Sequence, residues 1–338
     1  MSTPAAKCRL YAILARSARR AVIFRRGPSD HVLLCLWHTD TDRVEEGQWL
    51  RGRVYERRGD LSPNGTRLVY FAAQWSATSA RSGGPGRERA QPADGRDRSG
   101  RADPSRKPLT SWTALSTPPW WTAQAIWPNG SAWGGGGLFD DDRTLSIQGF
   151  WSRSIETPES RVPKDLTVRQ LGGGGGGEDR PIWDARLSRD GWRVVSPGKG
   201  KGQGSRKNVM FAYEEPAEWG RASPTERDLE LRMRILGIGE KNGDWYVVEH
   251  RVVRGGSGVV LDLGRAEWAD WDRSGDLLFA KDGVMHRLKR TVLDLSKARV
   301  VVDLRDRRFE ARPAPAEIRA LAIGGEPERS PRSPKRRG

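Results

Sequence analysis

The sequence predicts an all-β fold of short antiparallel strands joined by tight turns. Glycine and proline are abundant, with 40 and 21 residues in a chain of 338, and both residue types punctuate helices and favour turns. The fifteen tryptophans favour pleated, half-buried surfaces, against which a large ring packs well. Because no segment shows a sustained helical period with capping residues, we expect sheets to form the core.

The N-terminal part of the chain predicts successive strands. Residues 21–24 and 31–37 are apolar runs on either side of a Gly27-Pro28 turn, which is the pattern of a hairpin. Residues 68–74 follow a reversal that ends in Asn64-Gly65, a pair that accepts the positive φ of a tight turn. We therefore expect a meander of strands over residues 10–74.

The second half of the chain contains the clearest strand signal. Leu229, Leu231, Met233 and Ile235 alternate with charged residues, so a strand with one wet face is expected there. We expect a short helix near residues 315–322. The other strands predicted after residue 109 cover residues 112–115, 120–127, 145–147, 181–187, 192–195, 208–213, 245–248, 259–263, 267–271, 277–280, 284–288 and 299–304.

Three internal segments and the C-terminal tail lack the apolar residues that a core requires. Residues 77–109 are rich in Arg, Asp, Gly, Ser and Pro and predict a disordered insertion, because such a segment buries too little surface to offset its ordering entropy. Residues 152–180 and 196–207 predict flexible loops, and residues 325–338 predict a disordered basic tail. We expect residues 1–324 to form one domain that contains these internal segments.

A turn that ends in glycine and is followed by a short apolar strand recurs four times, at Gly65, Gly130, Gly191 and Gly275. The last copy, Trp268-Ala-Asp-Trp-Asp-Arg-Ser-Gly-Asp-Leu-Leu-Phe279, is the most complete. This pattern resembles the repeat of TolB-type propellers, which are related to WD-repeat propellers. The resemblance implies a β-propeller of about five to six antiparallel blades. Turn-plus-strand units also occur in β-sandwiches and barrels, which are the alternative folds.

The five tryptophans Trp112, Trp120, Trp121, Trp127 and Trp133 form the candidate binding site. Adjacent side chains of an extended strand point to opposite faces, so Trp120 or Trp121 is expected at a solvent-facing rim. Exposed aromatic rings beside glycine-rich loops commonly bind peptides or sugars. Packing between blades is the alternative use of these rings.

Catalytic and cofactor motifs are missing from the sequence. The histidines His31, His38, His250 and His286 have no metal-ligand spacing, and neither an H-E-x-x-H nor a G-x-S-x-G motif occurs. Cys8 and Cys35 form neither a metal motif nor a disulfide framework, which is typical of a reducing compartment. We therefore expect no cofactor and no metal. With no apolar run long enough for a membrane span, we expect a cytoplasmic monomer.

Three functions remain open from the sequence. The first is a non-catalytic propeller that binds a protein or peptide partner, because the repeat is present and catalytic motifs are not. The second is a hydrolase with a carboxylate site in the central funnel, and so the question of enzymatic activity stays open. The third is nucleic-acid binding, because the net charge of +16 is concentrated in the arginine-rich loops and tail.

Overall fold

The computed structural model describes residues 8–27, 30–74, 110–129, 132–149, 162–172, 179–201, 209–241, 243–255 and 258–322. Within these residues the chain forms five separate sheets, numbered here in chain order, and only two short α-helices. The predicted all-β class is therefore confirmed. None of the helices in the described ranges is long and apolar enough to cross a membrane.

Sheets 1 to 3 occupy the first half of the chain. Sheet 1 contains β1 (Arg9–Leu14), β2 (Arg20–Arg26), β3 (His31–His38) and β4 (Arg43–Arg51). Sheet 2 contains β5 (Arg53–Val54), β6 (Asp60–Leu61), β7 (Leu68–Gln74), β8 (Thr110–Ser116) and β9 (Ala123–Pro128), with a 3-10 turn at Glu56–Arg58. Sheet 3 contains β10 (Gly137–Asp141), β11 (Thr144–Ile147) and β12 (Thr167–Gln170).

Sheets 4 and 5 follow the helix α1 (Arg180–Arg189). Sheet 4 contains β13 (Arg193–Ser196), β14 (Lys199–Lys201), β15 (Val209–Ala222), β16 (Leu229–Glu240), β17 (Tyr246–Arg254) and β18 (Gly258–Gly264). Sheet 5 contains β19 (Trp268–Trp271), β20 (Leu277–Lys281), β21 (Val284–Leu288) and β22 (Arg299–Asp303). A 3-10 turn (Leu295–Lys297) precedes β22, and α2 (Ala316–Ala320) follows it.

In every sheet, strands that are close in sequence pair with one another. All pairs are antiparallel except β11 with β12, which are parallel. The repeated turns have the predicted local geometry at three of the four glycines, because Gly65, Gly191 and Gly275 have φ values of 73°, 87° and 86°. Such values suit glycine, which has no Cβ to clash. Gly130 lies outside the described residues.

The hydrophobic core links the five sheets in sequence order. One cluster joins sheet 1 to sheets 2 and 5, a second joins α1 to sheets 4 and 5, and a smaller one joins sheets 2 and 3. Helix α1 also contacts β10 of sheet 3. The contacts therefore run from sheet 1 to sheet 2, then to sheet 3, α1, sheet 4 and sheet 5. Sheet 5 in turn contacts sheet 1.

The first and last sheets are held together by polar contacts as well as by the core. The Arg287 guanidinium on β21 donates to both carboxylate oxygens of Asp42, each at 2.9 Å, and also to Asp272. Arg25 on β2 donates to the backbone oxygen of Leu304 at 3.2 Å, just beyond β22. These contacts join residues that are far apart in the sequence, so sheet 1 and sheet 5 depend on each other.

Three local predictions require correction, and one is confirmed. The strand predicted over residues 181–187 is wrong, because these residues belong to α1, where Pro181 occupies the first turn, a position that suits proline. The loops predicted over residues 152–180 and 196–207 contain β12 and β14. The short C-terminal helix predicted near residues 315–322 is confirmed by α2. The insertion at residues 77–109 and the tail at residues 325–338 lie outside the described residues.

Candidate functional site

The structure does not bring the five predicted tryptophans to one surface. Trp121 is buried between sheets 1 and 2, where its ring lies 4.8 Å from that of Tyr70 and its Nε1 donates to the Val32 oxygen at 3.2 Å. Trp127 is buried in the cluster between sheets 2 and 3. The other three side chains are half-buried or exposed: Trp112, Trp120 and Trp133, the last 55% exposed. Trp121 and Trp127 thus serve packing, whereas a binding role for the other three remains a prediction.

Two neighbouring cavities lie where the sheets converge. The large cavity has a volume of about 530 Å³ and is lined by β1, α1 and β19 together with single residues from β15, β16 and β17. The small cavity has a volume of about 370 Å³ and is lined by β1, the 3-10 turn after β5 and the start of β17. Tyr11, Arg57 and Glu267 line both cavities and form the wall between them.

Arg57 sits in this wall inside a cage of aromatic rings. Its guanidinium carbon lies 5.0 Å from the ring centre of Tyr11 and 4.9 Å from those of Trp183 and Tyr246. Cations are attracted to the faces of aromatic rings, and more strongly where water is excluded. Arg57 also forms an ion pair with Glu56 at 3.1 Å, so the wall is charged and firmly held.

Glu56 stays ionised beside this cage. Its burial opposes ionisation, but the guanidinium groups of Arg26 and Arg57 outweigh that effect and hold the pKa of Glu56 at about 2. The Arg26 ion pair has a distance of 2.6 Å. Two guanidinium groups therefore share this carboxylate, and each is only partly neutralised by it.

Glu267 is the carboxyl group in the wall, and its environment favours the protonated form. Burial is the main reason that the pKa of Glu267 rises to about 7. Its Oε2 accepts a hydrogen bond from the Leu10 backbone N–H at 2.9 Å. In the described part of the chain no arginine or lysine forms an ion pair with it. A carboxyl group of this kind can exchange a proton near neutral pH.

The remaining carboxylates of the large cavity are each paired with an arginine. Asp190 pairs with Arg189 at 2.9 Å, and Asp272 pairs with Arg287. Asp270 pairs with Arg221, yet burial still raises its pKa above the ordinary value for an aspartate. These pairs fix the orientation of the three aspartates, whereas Glu267 forms no ion pair with an arginine or lysine among the described residues.

A histidine completes the set of titratable groups around the large cavity. His250 on β17 is buried, and its Nδ1 lies 2.9 Å from the Ala266 backbone oxygen, to which it donates. Burial lowers the pKa of His250 to about 4, and the ring is therefore neutral at pH 7. A neutral histidine with one nitrogen held by a carbonyl has a fixed tautomer.

Neither metal binding nor thiol chemistry is indicated by the residues that the structure describes. No group of three or more His, Cys, Asp or Glu side chains among them is arranged to hold a metal ion. Cys8 and Cys35 are both buried free thiols. Burial raises the pKa of Cys8 to about 11 and raises that of Cys35 further, so both side chains behave as small apolar groups.

The sequence contained no motif for the wall residues. Tyr11 lies on β1, Arg57 follows β5 and Glu267 immediately precedes β19, so only the packing of sheets brings them together. The one available signal was the position of Glu267 immediately before the most complete repeat copy. No protein-family model and no curated protein sequence matches this chain, and the chemistry of the site is therefore argued from its residues.

Proposed function

We propose that the chain is a five-bladed β-propeller that acts as a non-catalytic binding module for a peptide segment of a partner protein. Each of the five sheets would form one blade, and the cavities would occupy the central funnel. The contacts that lead from sheet 1 around to sheet 5 and back to sheet 1 support this arrangement. So does the recurrence of the glycine-ended turn shortly before β7 of sheet 2, β13 of sheet 4 and β20 of sheet 5.

The large cavity is the observation that carries the binding role. Its volume of about 530 Å³ lies within the usual range for binding pockets and would accept one or two side chains of a partner. Its walls contain the indole rings of Trp183, Trp192 and Trp271 as well as several arginines. Apolar rings supply contact area and a few charged groups supply specificity, which is the usual composition of a recognition pocket.

A substitution at the cavity rim tests this role. Pro224 is exposed and lines the large cavity, so Pro224→Trp should obstruct the entrance while leaving the core intact. Peptides selected from a randomised display library on the wild-type chain should bind the variant at least about tenfold more weakly by fluorescence anisotropy. Val259→Trp is the matched control, because Val259 is 52% exposed on β18 and does not line the cavity.

Two outcomes would count against the peptide-binding role. Selected peptides that bind the Pro224→Trp variant as tightly as they bind the wild type would show that the cavity is not the recognition site. A library that yields no specific peptide on the wild-type chain would contradict the proposal altogether.

A second candidate function is hydrolysis at the large cavity, because Glu267 has the raised pKa of a general acid. In glycoside hydrolases one carboxyl group with a raised pKa protonates the leaving group while another carboxylate assists. Asp270 lines the same cavity, although its ion pair with Arg221 restricts it. The geometry therefore favours binding over catalysis while leaving Glu267 as the residue to test.

The hydrolase candidate makes its own prediction. Turnover of chromogenic glycosides and esters by the wild-type chain should fall by at least about a hundredfold in Glu267→Gln, with the protein still folded by circular dichroism. Glu249→Gln is a suitable control, since Glu249 lies on β17 and does not line either cavity. No turnover in the wild type, or equal turnover in both variants, would remove this candidate.

A further inference from the structure

Three of the arginines that line the large cavity have no carboxylate partner. The others are paired: Arg57 with Glu56, Arg189 with Asp60 and Asp190, and Arg221 with Asp270. The unpaired three are Arg16, Arg186 and Arg273, and all three line the cavity. Within the described residues none of them forms an ion pair, so this cavity carries a surplus of positive charge.

Arg186 is the most deeply placed of the three. It is 4% exposed, and its guanidinium donates to the backbone oxygens of Gly59 and Glu56 and to the Tyr11 hydroxyl. These three acceptors are neutral. A buried guanidinium without a counter-charge is unfavourable, because carbonyl and hydroxyl dipoles replace only part of its hydration. An oxyanion bound beside Arg186 would supply the missing counter-charge.

Arg16 and Arg273 are more exposed than Arg186 and place further positive charge nearer the surface. Arg16 is half-buried and donates to the backbone oxygens of Phe139 and Asp140, each at 2.8 Å, while its buried Nε has no partner. Arg273 is exposed and donates to the Ser17 oxygen at 2.7 Å. Exposure thus increases from Arg186 through Arg16 to Arg273, as expected for cations that extend from the floor of a cavity to its mouth.

The small cavity differs in this respect. Its arginines Arg9 and Arg26 are paired with Asp244 and Glu56. Arg53 stacks on Tyr55, with its guanidinium carbon 4.6 Å from the ring centre. Arg53 has no carboxylate partner among the described residues, but five carboxyl groups line this cavity against four arginines. The large cavity has six arginines and four carboxyl groups, so the positive surplus belongs to the large cavity and not to the small one.

The geometry points to an oxyanion site in the large cavity, where Arg186, Arg16 and Arg273 bind a carboxylate or phosphate group. This inference deepens the proposed function, on which it rests, by naming the inserted group as an acidic or phosphorylated side chain of the peptide partner. Guanidinium groups suit both oxyanions, because their planar donors match two oxygens at once. The indole walls would hold the carbon atoms next to the charged group.

Small anions test the site without any peptide. Inorganic phosphate and citrate are titrated separately into the full-length chain at constant ionic strength, and the fluorescence of the tryptophans that line the cavity reports binding. The double variant Arg16→Gln/Arg273→Gln should weaken the binding at least about tenfold. Arg254→Gln should leave it unchanged, because Arg254 is an exposed β17 residue that pairs with Asp228 outside the cavity.

Each outcome of this titration has a defined meaning. A response to phosphate alone indicates a phosphorylated side chain, and a response to citrate alone indicates a carboxylate. Equal weakening in the double variant and in Arg254→Gln would reveal non-specific charge screening and overturn the site, as would no response to either anion. Because Arg16 is half-buried and Arg273 is exposed, the double variant should still fold, which circular dichroism checks alongside the loss of binding.

The failure of this inference and the failure of the proposed function give different results. If library peptides without acidic residues bind in the cavity and neither anion binds, the oxyanion site is wrong and the peptide-binding role stands. If phosphate or citrate binds in an arginine-dependent way but no peptide is selected, the anion site stands and the peptide-binding role is wrong.

Discussion

Removing the charge of Arg287 should weaken the attachment of the first sheet to the last and lower the free energy of unfolding. Arg287 is 8% exposed in its side chain and contacts Asp42 through two donors at 2.9 Å, Asp272 through a third, and the Thr39 backbone oxygen at 2.6 Å. Arg287→Met keeps an apolar stem of similar length and removes every one of these bonds. Two buried carboxylates then lose their shared counter-charge.

The size of the loss follows from what remains around those carboxylates. Breaking a buried ion pair by removing one partner typically costs about 3–5 kcal/mol, because the other charge is left buried. Arg299 still pairs with Asp42, so the lower end of that range, about 3 kcal/mol, is expected for the free energy of unfolding. The value is measured from urea denaturation curves monitored by tryptophan fluorescence.

Two further variants make the Arg287 prediction refutable. Arg254→Met removes exposed ion pairs with Asp228 and Glu226 and should cost no more than about 1 kcal/mol. Asp42→Asn combined with Arg287→Met should recover part of the loss, since one uncompensated charge is gone. Equal losses for Arg287→Met and Arg254→Met would refute the inference that the buried Arg287 contacts stabilise the packing of sheet 1 against sheet 5.

Three other changes test separate parts of the structure. The folded state raises the pKa of Glu267 from 4.5 to about 7, so the free energy of unfolding should decline as pH rises through this interval. Glu267→Gln should remove the decline, and above pH 7 its free energy of unfolding in urea should exceed that of the wild type by up to about 3 kcal/mol. Parallel pH profiles of the two proteins would contradict this prediction. A Cβ on Gly47 would lie 1.9 Å from the Pro119 backbone oxygen, so Gly47→Ala should cost about 1–3 kcal/mol, whereas the control Gly149→Ala, with open space around it, should not change the melting temperature. Replacing residues 75–109 by an Asn-Gly turn should leave the free energy of unfolding within about 1 kcal/mol of wild type, because the flanking strands β7 and β8 pair up to their ends. The same variant tests the nucleic-acid function, which gains support if the wild type binds single-stranded DNA in a salt-dependent way and the variant does not. If the variant still binds DNA, residues 75–109 are not the nucleic-acid binding segment.

The local features of the fold were predictable because local residues cause them. The turns at Gly65, Gly191 and Gly275 depend on glycine's freedom at positive φ. The alternation of apolar and charged residues in β16 depends on the two-residue period of a strand. Neither property requires knowledge of what packs against the segment.

Helix α1 was not predictable from its own residues. Its buried side chains include Trp183 and Leu187, which are one helical turn apart, but also Arg186, whose charge breaks the apolar pattern. The sequence therefore showed no helical stripe to recognise. Burial of Arg186 is possible only because Gly59 and Tyr11, from two other sheets, supply its hydrogen-bond acceptors.

Composition and periodicity alone determined that this chain is an all-β protein built mainly of antiparallel strands, since strand and turn preferences act over a few residues. The tertiary structure decided which aromatic and charged side chains meet. It turned Trp121 inward against Tyr70 and brought Arg57, Arg186 and Glu267 together around two cavities. The physical reason is that burial and electrostatic pairing depend on neighbours in space, and those neighbours come from sheets that are remote in the sequence.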